Sequence, residues 1–257
     1  MKIALIGKGA IAQYVEDALA ARGHSVNAVL VRPEAVGGAS GHFVGSVAEL
    51  PMDTAFVIDC AGHEALATHG PNILSRGFSL ITVSIGALAD RQVAERLERS
   101  AREKGATLYL ASGAVGALDC LRAAAVGKLT SVRYVGRKPP QGWRGSPAAD
   151  RLDLENLTGA ATHFEGTARQ AALAYPKNAN VAAAVALAGP GFDETEVRLI
   201  ADPAIDRNIH EIEASGEFGH FRFEITGNTL PDTPRSSALA AMSVLAKLEQ
   251  ITQPVSI

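Results

Sequence analysis

Cysteine and net charge are both scarce in this chain of 257 residues, and each scarcity excludes a class of protein. Two cysteines, Cys60 and Cys120, are too few for a disulfide framework or a metal cluster and fit a reducing cytoplasm. The 24 basic residues are scattered and outnumbered by 27 acidic ones, so no basic face for nucleic acid is expected. The chain is long enough for two modest domains.

Long apolar runs are also missing. The longest uncharged stretch, residues 178–192, is interrupted by Gly189 and Pro190 and is shorter than the roughly 18 to 20 apolar residues that cross a bilayer. The apolar run after Met1 ends at Gly7 and lacks the features of a signal peptide, so it is interpreted as a buried strand. We therefore expect no membrane span.

The first half alternates short apolar runs with helical patterns, which is typical of βαβ units around a parallel sheet buried on both faces. Predicted strands cover residues 2–6, 25–31, 55–59, 79–83 and 107–110, and predicted helices cover 11–21, 64–75 and 90–104. Gly23 is expected to end the first helix.

After about residue 114 the pattern changes. It predicts helices at 116–126 and 180–188, strands at 132–136 and 162–165, a Pro/Gly-rich loop at 139–147, and antiparallel strands at 196–200, 208–214 and 218–226. Ser215-Gly216 is the expected hairpin turn. Pro234 is expected to open a last helix at 235–249, whose apolar side chains, Leu239, Met242, Leu245 and Leu248, need a surface to cover.

The strongest local motif is the G-x-G-x-x-A of residues 7–12, which follows a predicted strand and opens a predicted helix. Gly7 permits a tight turn and Gly9 lets the backbone approach a pyrophosphate, while Ala10 and Ile11 begin a helix whose N-terminus favours anions. A glycine turn without a ligand is the alternative interpretation.

This context predicts an α/β protein. Residues 1–113 are expected to form a Rossmann dinucleotide-binding domain, with the helix at 234–250 packing back on it. Residues 114–233 are expected to form an α+β domain with a mixed or antiparallel sheet.

Arg32 stands at the end of the second predicted strand, where an acidic residue would bind a ribose 2′-hydroxyl. An arginine there can pair with a 2′-phosphate, which favours NADP or the use of both NAD and NADP. A solvated surface arginine is an equal alternative, and Glu34 is a nearby candidate for the hydroxyl.

Small residues follow the later strands of the same predicted sheet, as a ligand crevice requires. Cys60, Ala61, Ser84 and Ala114 are the candidate cofactor contacts, with ordinary turn chemistry as the alternative. Cys60 is interpreted as a small buried residue and not as a nucleophile. No metal site is expected, because His63 and His69 are too far apart on a helix for the HExxH spacing.

His210 is the histidine most suggestive of chemistry. Strand alternation places it on one largely apolar face with Asn208, Ile212 and Ala214, where it could exchange a proton in a pocket. A structural histidine is the alternative, and the spacing does not choose between His210 and the histidines at 163 and 220.

Residues 176–180 precede an apolar helix that one of their asparagines can cap. Lys177, together with Arg137 and Lys138, offers cations for an anionic substrate, although solvated surface charge explains them equally well.

Six motifs together resemble the L-aspartate dehydrogenase family over nearly the whole chain: residues 7–11, 60–65, 112–119, 137–140, 177–183 and 208–212. The resemblance implies that His210 is the active-site histidine and that Ala114 and Asn180 contact the cofactor. It also implies a homodimer. Arg32 departs from the acidic residue of some relatives and leaves the choice between NAD and NADP open.

The implied reaction moves the Cα hydride of L-aspartate, a dicarboxylic amino acid, to NAD or NADP. The product, iminoaspartate, either hydrolyses to oxaloacetate and ammonia or feeds quinolinate and NAD synthesis. His210 would then handle a proton, while Lys177 and Asn178 would help to bind the substrate. A reductase of cyclic imines resembling dihydrodipicolinate reductase, and a dinucleotide sensor without turnover, are the alternatives.

Overall fold

The computed structural model describes residues 1–38, 42–176, 179–231 and 233–255. These residues form two compact units, which we call the first and second unit. The first unit comprises Met1–Ala111 and the chain from Ala240 on, and the second comprises Ser112–Leu239. No helix among the described residues is long and apolar enough to cross a membrane.

The first unit is built on a parallel sheet with helices on both faces. Up to residue 111 its elements are β1 (Lys2–Ile6), α1 (Ala10–Ala21), β2 (Ser25–Leu30), β3 (Phe43–Val44), β4 (Phe56–Asp59), α2 (His63–Ser75), β5 (Ser79–Thr82), α3 (Arg91–Lys104) and β6 (Leu108–Leu110). The strands lie in the order β3-β2-β1-β4-β5-β6, which is the strand order of a Rossmann fold. The predicted strands and helices of this half are confirmed, and α1 ends just before Gly23, at φ +73°.

Alternate residues of the parallel strands enter two separate apolar clusters, so both faces of this sheet are buried as predicted. Ile3 and Leu5 of β1 pack in one cluster with Val15 and Leu19 of α1. Their neighbours on the strand, Ala4 and Ile6, pack in the other cluster with residues of α2 and α3. A strand buried on both faces has no need of alternating polar residues.

The second unit is built on a mixed sheet. Its elements are α4 (Leu118–Ala124), β7 (Leu129–Lys138), β8 (Ala161–Thr167), α5 (Ala168–Ala174), α6 (Asn180–Ala188), β9 (Glu196–Ala201), β10 (Asn208–Gly216), β11 (Gly219–Gly227), β12 (Thr229–Leu230) and β13 (Thr233–Ser237). The strands of the sheet lie in the order β11-β10-β7-β9-β8. The predicted α/β class with a mixed second sheet is confirmed. Although β9 is antiparallel to β8, it pairs in parallel with β7.

Three local predictions for this half are wrong. The hairpin turn lies at Glu217 and Phe218, because Ser215 and Gly216 still pair with β11. The helix predicted at 116–126 is limited to Leu118–Ala124. Residues 234–237, predicted to begin the last helix, belong to β13, since a proline fits an edge strand as well as a first helical turn.

The last helix, α7 (Ala238–Thr252), belongs to the first unit for most of its length. Val244, Leu245 and Leu248 are buried in the cluster that contains Leu5 and Leu19. Met242, predicted from its spacing to share that covered face, is 46% exposed. The buried stripe of α7 therefore includes Val244, Leu245 and Leu248 but not Met242, so it is rotated about the helix axis from the predicted stripe.

This packing predicts that α7 stabilises the first unit. Leu245→Ala is expected to lower the free energy of unfolding by about 2–5 kcal/mol, because it leaves a cavity in the core. Met242→Ala, on the exposed side of the same helix, is expected to change it by less than about 0.5 kcal/mol. Chemical denaturation of both variants measures the difference, and equal effects would contradict the assignment of the buried stripe.

Candidate functional site

The turn after β1 passes so close to the turn after β4 that it admits no side chain. Gly7 has φ +89°, and its N–H donates a hydrogen bond to Leu30 O at 2.9 Å. A Cβ added to Gly7 would lie 2.9 Å from the Cβ of Ala61. Glycine is therefore required here both by conformation and by space.

The N-terminus of α1 is open. Gly9 is the N-cap residue, no side chain caps the helix there, and its first turn carries no acidic residue. A Cβ added to Gly9 would meet no atom within 4 Å. The amides of the first turn and the positive end of the helix dipole can therefore receive an anion such as a dinucleotide pyrophosphate, which would lie against Gly7, Gly9, Ala10 and Ile11.

The end of β2 carries both candidates for recognition of the adenosine ribose. Arg32 and Glu34 are both exposed, and Glu34 belongs to a short 3-10 helix, Pro33–Gly38. Arg32 O accepts a hydrogen bond from Ala35 N at 2.8 Å, which fixes the backbone of this corner. Among the described residues, neither side chain has a hydrogen-bond partner that would decide between a hydroxyl and a phosphate.

Sequence reasoning missed a buried carboxyl group that joins the ends of β4 and β5. Asp59 is fully buried, accepts a hydrogen bond from Ala61 N at 2.9 Å and another from Thr82 Oγ1 at 2.7 Å, and is also hydrogen-bonded by the Ser84 side chain. Burial raises the pKa of Asp59, and these hydrogen bonds oppose that change. The sequence does carry a signal for this buried carboxyl group, because Asp59 is an acidic residue directly after the apolar Val57 and Ile58.

Asp59 thereby fixes the two turns that carry Ala61 and Ser84, both predicted cofactor contacts. The third predicted contact in this region, Cys60, follows Asp59 directly. Burial, followed by the charge of Asp59, raises the pKa of its thiol, so the thiol keeps its proton at neutral pH. The raised pKa agrees with the interpretation that Cys60 is not a nucleophile, but Cys60 is partly exposed, so its interpretation as a buried residue is wrong.

His210 lies in the sheet of the second unit and is 4% exposed. It pairs across the sheet with Gly136 of β7. Its Nδ1 lies 2.8 Å from the hydroxyl oxygen of Tyr134, and the planes of the two rings are 17° apart with their centroids separated by 6.0 Å. Burial, followed by the charge of Lys138, lowers the pKa of His210 to about 3, so the imidazole is neutral at physiological pH.

Lys138 is a buried cation near His210. It is two residues beyond Gly136 on β7 and four beyond Tyr134, so strand alternation places all three on one face. Its Nζ lies 5.0 Å from the centroid of the Trp143 ring, and burial lowers its pKa to about 8. The sequence alone does not distinguish a substrate-binding Lys138 from a solvated surface lysine. The burial of a residue at a strand end depends on the loop that covers it.

The two other candidate histidines occupy different environments. His220 is exposed on β11. His163 is buried beneath Trp143 at a centroid distance of 4.3 Å, and its Nδ1 lies 3.2 Å from the Tyr175 hydroxyl. Burial, followed by Arg151 and then Lys138, lowers the pKa of His163 to about 4. Among the described residues, the Nε2 of His163 has no hydrogen-bond partner.

The remaining predicted site residues belong to the second unit. Ala114 lies in the loop between β6 and α4. Asn180 is the first residue of α6, whose N-cap is Ala179, so the predicted capping by an asparagine side chain is wrong for Asn180. Lys177 and Asn178 lie outside the described residues.

Comparisons with known proteins cover both units. The family model described as "Aspartate dehydrogenase, C-terminal" matches residues 119–251, and the model described as "Homoserine dehydrogenase, NAD binding domain" matches residues 7–111. The L-aspartate dehydrogenase of Ruegeria pomeroyi is 55% identical over 254 residues, covering 97% of this chain and 92% of the relative. That of Ralstonia nicotianae is 49% identical over 201 residues, covering 78% and 75%.

A solved structure agrees with these matches. The aspartate dehydrogenase of Thermotoga maritima has a TM-score of 0.80 with this chain at 27% identity, covering 100% of this chain and 99% of the other. The predicted cofactor class, NAD or NADP, is confirmed by the NAD-binding model. The resemblance predicted from the six motifs is confirmed as well: this chain belongs to the L-aspartate dehydrogenase family.

Proposed function

We propose that this chain is an NAD(P)-dependent L-aspartate dehydrogenase. It oxidises the amino group of L-aspartate to an imine, iminoaspartate, which hydrolyses to oxaloacetate and ammonia or supplies quinolinate and NAD synthesis. The names of relatives up to 55% identical over nearly the whole chain support the substrate. The reverse reaction, reductive amination, uses the same groups.

One observation in the second unit carries the chemical part of this proposal: a buried neutral imidazole near a buried ammonium group. L-Aspartate presents two carboxylates and an amine whose proton must be moved during oxidation. Lys138 is a cation that can bind a carboxylate strongly, because little water competes at a buried site. His210 offers a nitrogen that can exchange or donate a proton.

The first unit binds the dinucleotide. Bound NAD or NADP supplies the acceptor for the Cα hydride. The turn at Gly7 and the open amides after Gly9 hold the pyrophosphate, while Cys60, Ala61 and Ser84 at the neighbouring strand ends are small enough for close approach of the dinucleotide. The family resemblance adds Ala114 and Asn180 as contacts.

In the second unit, His210 handles the proton of the amino group or of the water that attacks the imine. Lys138 holds one substrate carboxylate, and the sequence offers Lys177 and Asn178 for the other. The work of the protein is thus to orient Cα and to balance charge. A homodimer, implied by the family resemblance, and a cytoplasmic location, expected from the low cysteine content, stay predictions.

Loss of the imidazole should remove turnover without removing cofactor binding. His210→Asn is expected to lower kcat by about 10²- to 10⁴-fold, the usual contribution of a positioned acid or base. Calorimetric titration with the dinucleotide should give an unchanged Kd, because His210 is not among the residues proposed to contact the dinucleotide. His220→Asn, on the exposed edge of the same sheet, is the matched control and should keep its activity. A His210→Asn enzyme within a few-fold of the parent contradicts the role.

The ammonium of Lys138 should make carboxylate binding depend on pH. Its pKa of about 8 means that the cation is present below pH 8 and lost above it. Above that pH, the inhibition constant of succinate, a dicarboxylate without an amine, is expected to rise by about tenfold per pH unit. Lys138→Arg keeps its charge and should remove this dependence. A constant inhibition constant in the parent enzyme would contradict the assignment.

Arg32 should favour the dinucleotide that carries a 2′-phosphate. Arg32→Ala is expected to raise the KM for NADP by about tenfold to a hundredfold, the value of a charged hydrogen bond, with little change for NAD. Glu34→Ala is the matched variant and should raise the KM for NAD instead. Steady-state kinetics with both dinucleotides make the comparison, and equal small changes would identify Arg32 as a surface residue.

A further inference from the structure

We infer that Tyr134 is a positioning residue that holds His210 in the tautomer with its proton on Nε2. His210 would then act on the substrate as a neutral hydrogen-bond donor. This inference rests on the proposed function and narrows the role of His210 within it, from a general acid or base to a donor of the Nε2–H hydrogen bond.

The hydrogen bond between the two side chains has one consistent direction. The Tyr134 hydroxyl oxygen lies 2.8 Å from His210 Nδ1, and both side chains are buried. Among the residues that the structure describes, this nitrogen is the one hydrogen-bond partner of the hydroxyl. A buried O–H group without an acceptor is costly, so Tyr134 donates and Nδ1 accepts. The proton of the neutral ring therefore resides on Nε2.

Gly136 makes this contact possible. It lies between Tyr134 and Lys138 on the same face of β7 and pairs directly with His210 across the sheet. A Cβ at this position would lie 2.6 Å from the Tyr134 hydroxyl oxygen and 3.2 Å from the Leu199 side chain. The absence of a side chain leaves the space in which the hydroxyl reaches the imidazole.

The surroundings also keep both partners neutral. Burial raises the pKa of Tyr134, so its hydroxyl retains the proton that it donates. On the side of β7, Lys138 opposes a second positive charge on His210, and on the side of β11 the residue that pairs with His210 across the sheet is the apolar Ile225. Protonation of Nδ1 would deprive the Tyr134 O–H of its acceptor. Nε2–H is thus the group available to a carboxylate or an imine nitrogen.

Nitrogen NMR of the histidine rings tests the assignment directly in the full-length protein. In the parent enzyme near neutral pH, His210 is expected to show a protonated Nε2 and an unprotonated Nδ1, with the signal identified by its loss in His210→Asn. In Tyr134→Phe, which keeps the ring but removes the donor, the two tautomers should mix.

Steady-state kinetics provide a second readout for the same variant. In Tyr134→Phe the value of kcat/KM for aspartate should fall about 10- to 100-fold while the Kd of the dinucleotide stays unchanged.

A second tyrosine–histidine pair in the same unit provides a matched control. Tyr175→Phe removes the hydroxyl next to His163 and should leave the His210 tautomer as it is. Gly136→Ala, which displaces the Tyr134 hydroxyl without removing it, should reproduce the mixed tautomers of Tyr134→Phe.

The possible outcomes separate this inference from the proposed function. A proton on Nδ1 in the parent enzyme, or an unchanged tautomer in Tyr134→Phe, overturns the role of Tyr134 even if His210 is essential for turnover. The expected tautomer together with full activity of His210→Asn overturns the proposed role of His210 and leaves the tautomer assignment in place.

Discussion

The pairing of β10 with β7 determines which groups surround His210. In the observed register His210 lies opposite Gly136, with Tyr134 and Lys138 on the same face of the sheet. A shift of one residue would place His210 on the opposite face, where the neighbouring side chains of β7 include Arg133 and Arg137. The hydrogen bond to Tyr134 and the low pKa would both be lost.

Apolar residues hold that register. Ile212 and Ala214 alternate with polar residues along β10 and are buried on the same face as His210. A slip of one position would expose them and bury Glu211 and Glu213 in their place, which is costly for unpaired carboxylates. The packing that stabilises the sheet therefore also fixes the chemistry of the histidine.

The first unit was largely predictable from the sequence because its signals are local. Parallel strands buried on both faces give continuous apolar runs, and the dinucleotide turn depends on glycines within a few residues of one another. The assignment of His210 as the active-site residue, by contrast, came from the family resemblance. Local patterning placed it on a strand face but gave no preference over His163 or His220.

Other features were beyond sequence reasoning because they depend on partners distant along the chain. Tyr134 and His210 are 76 positions apart, and their contact requires the strand register. Burial of Lys138 requires Trp143 from the following loop. The sequence predicts Pro234 in a helix, because its fixed φ suits a first helical turn. The pairing of β12 with β13 instead places it in a strand.

The charges in the second unit follow from the different pKa values that two buried basic groups have before burial. Burial disfavours the cationic form of both, but imidazole starts from a pKa near 6.5 and the lysine ammonium from about 10.5. The same penalty therefore leaves Lys138 charged and His210 neutral at physiological pH, and the charge of Lys138 lowers the pKa of His210 further. Two cations close together in a buried site would repel each other, so one group carries the charge and the other becomes a neutral donor. A dicarboxylate with an amine requires both, since the carboxylate needs a cation, and a neutral N–H group can hydrogen-bond the substrate without adding a second positive charge.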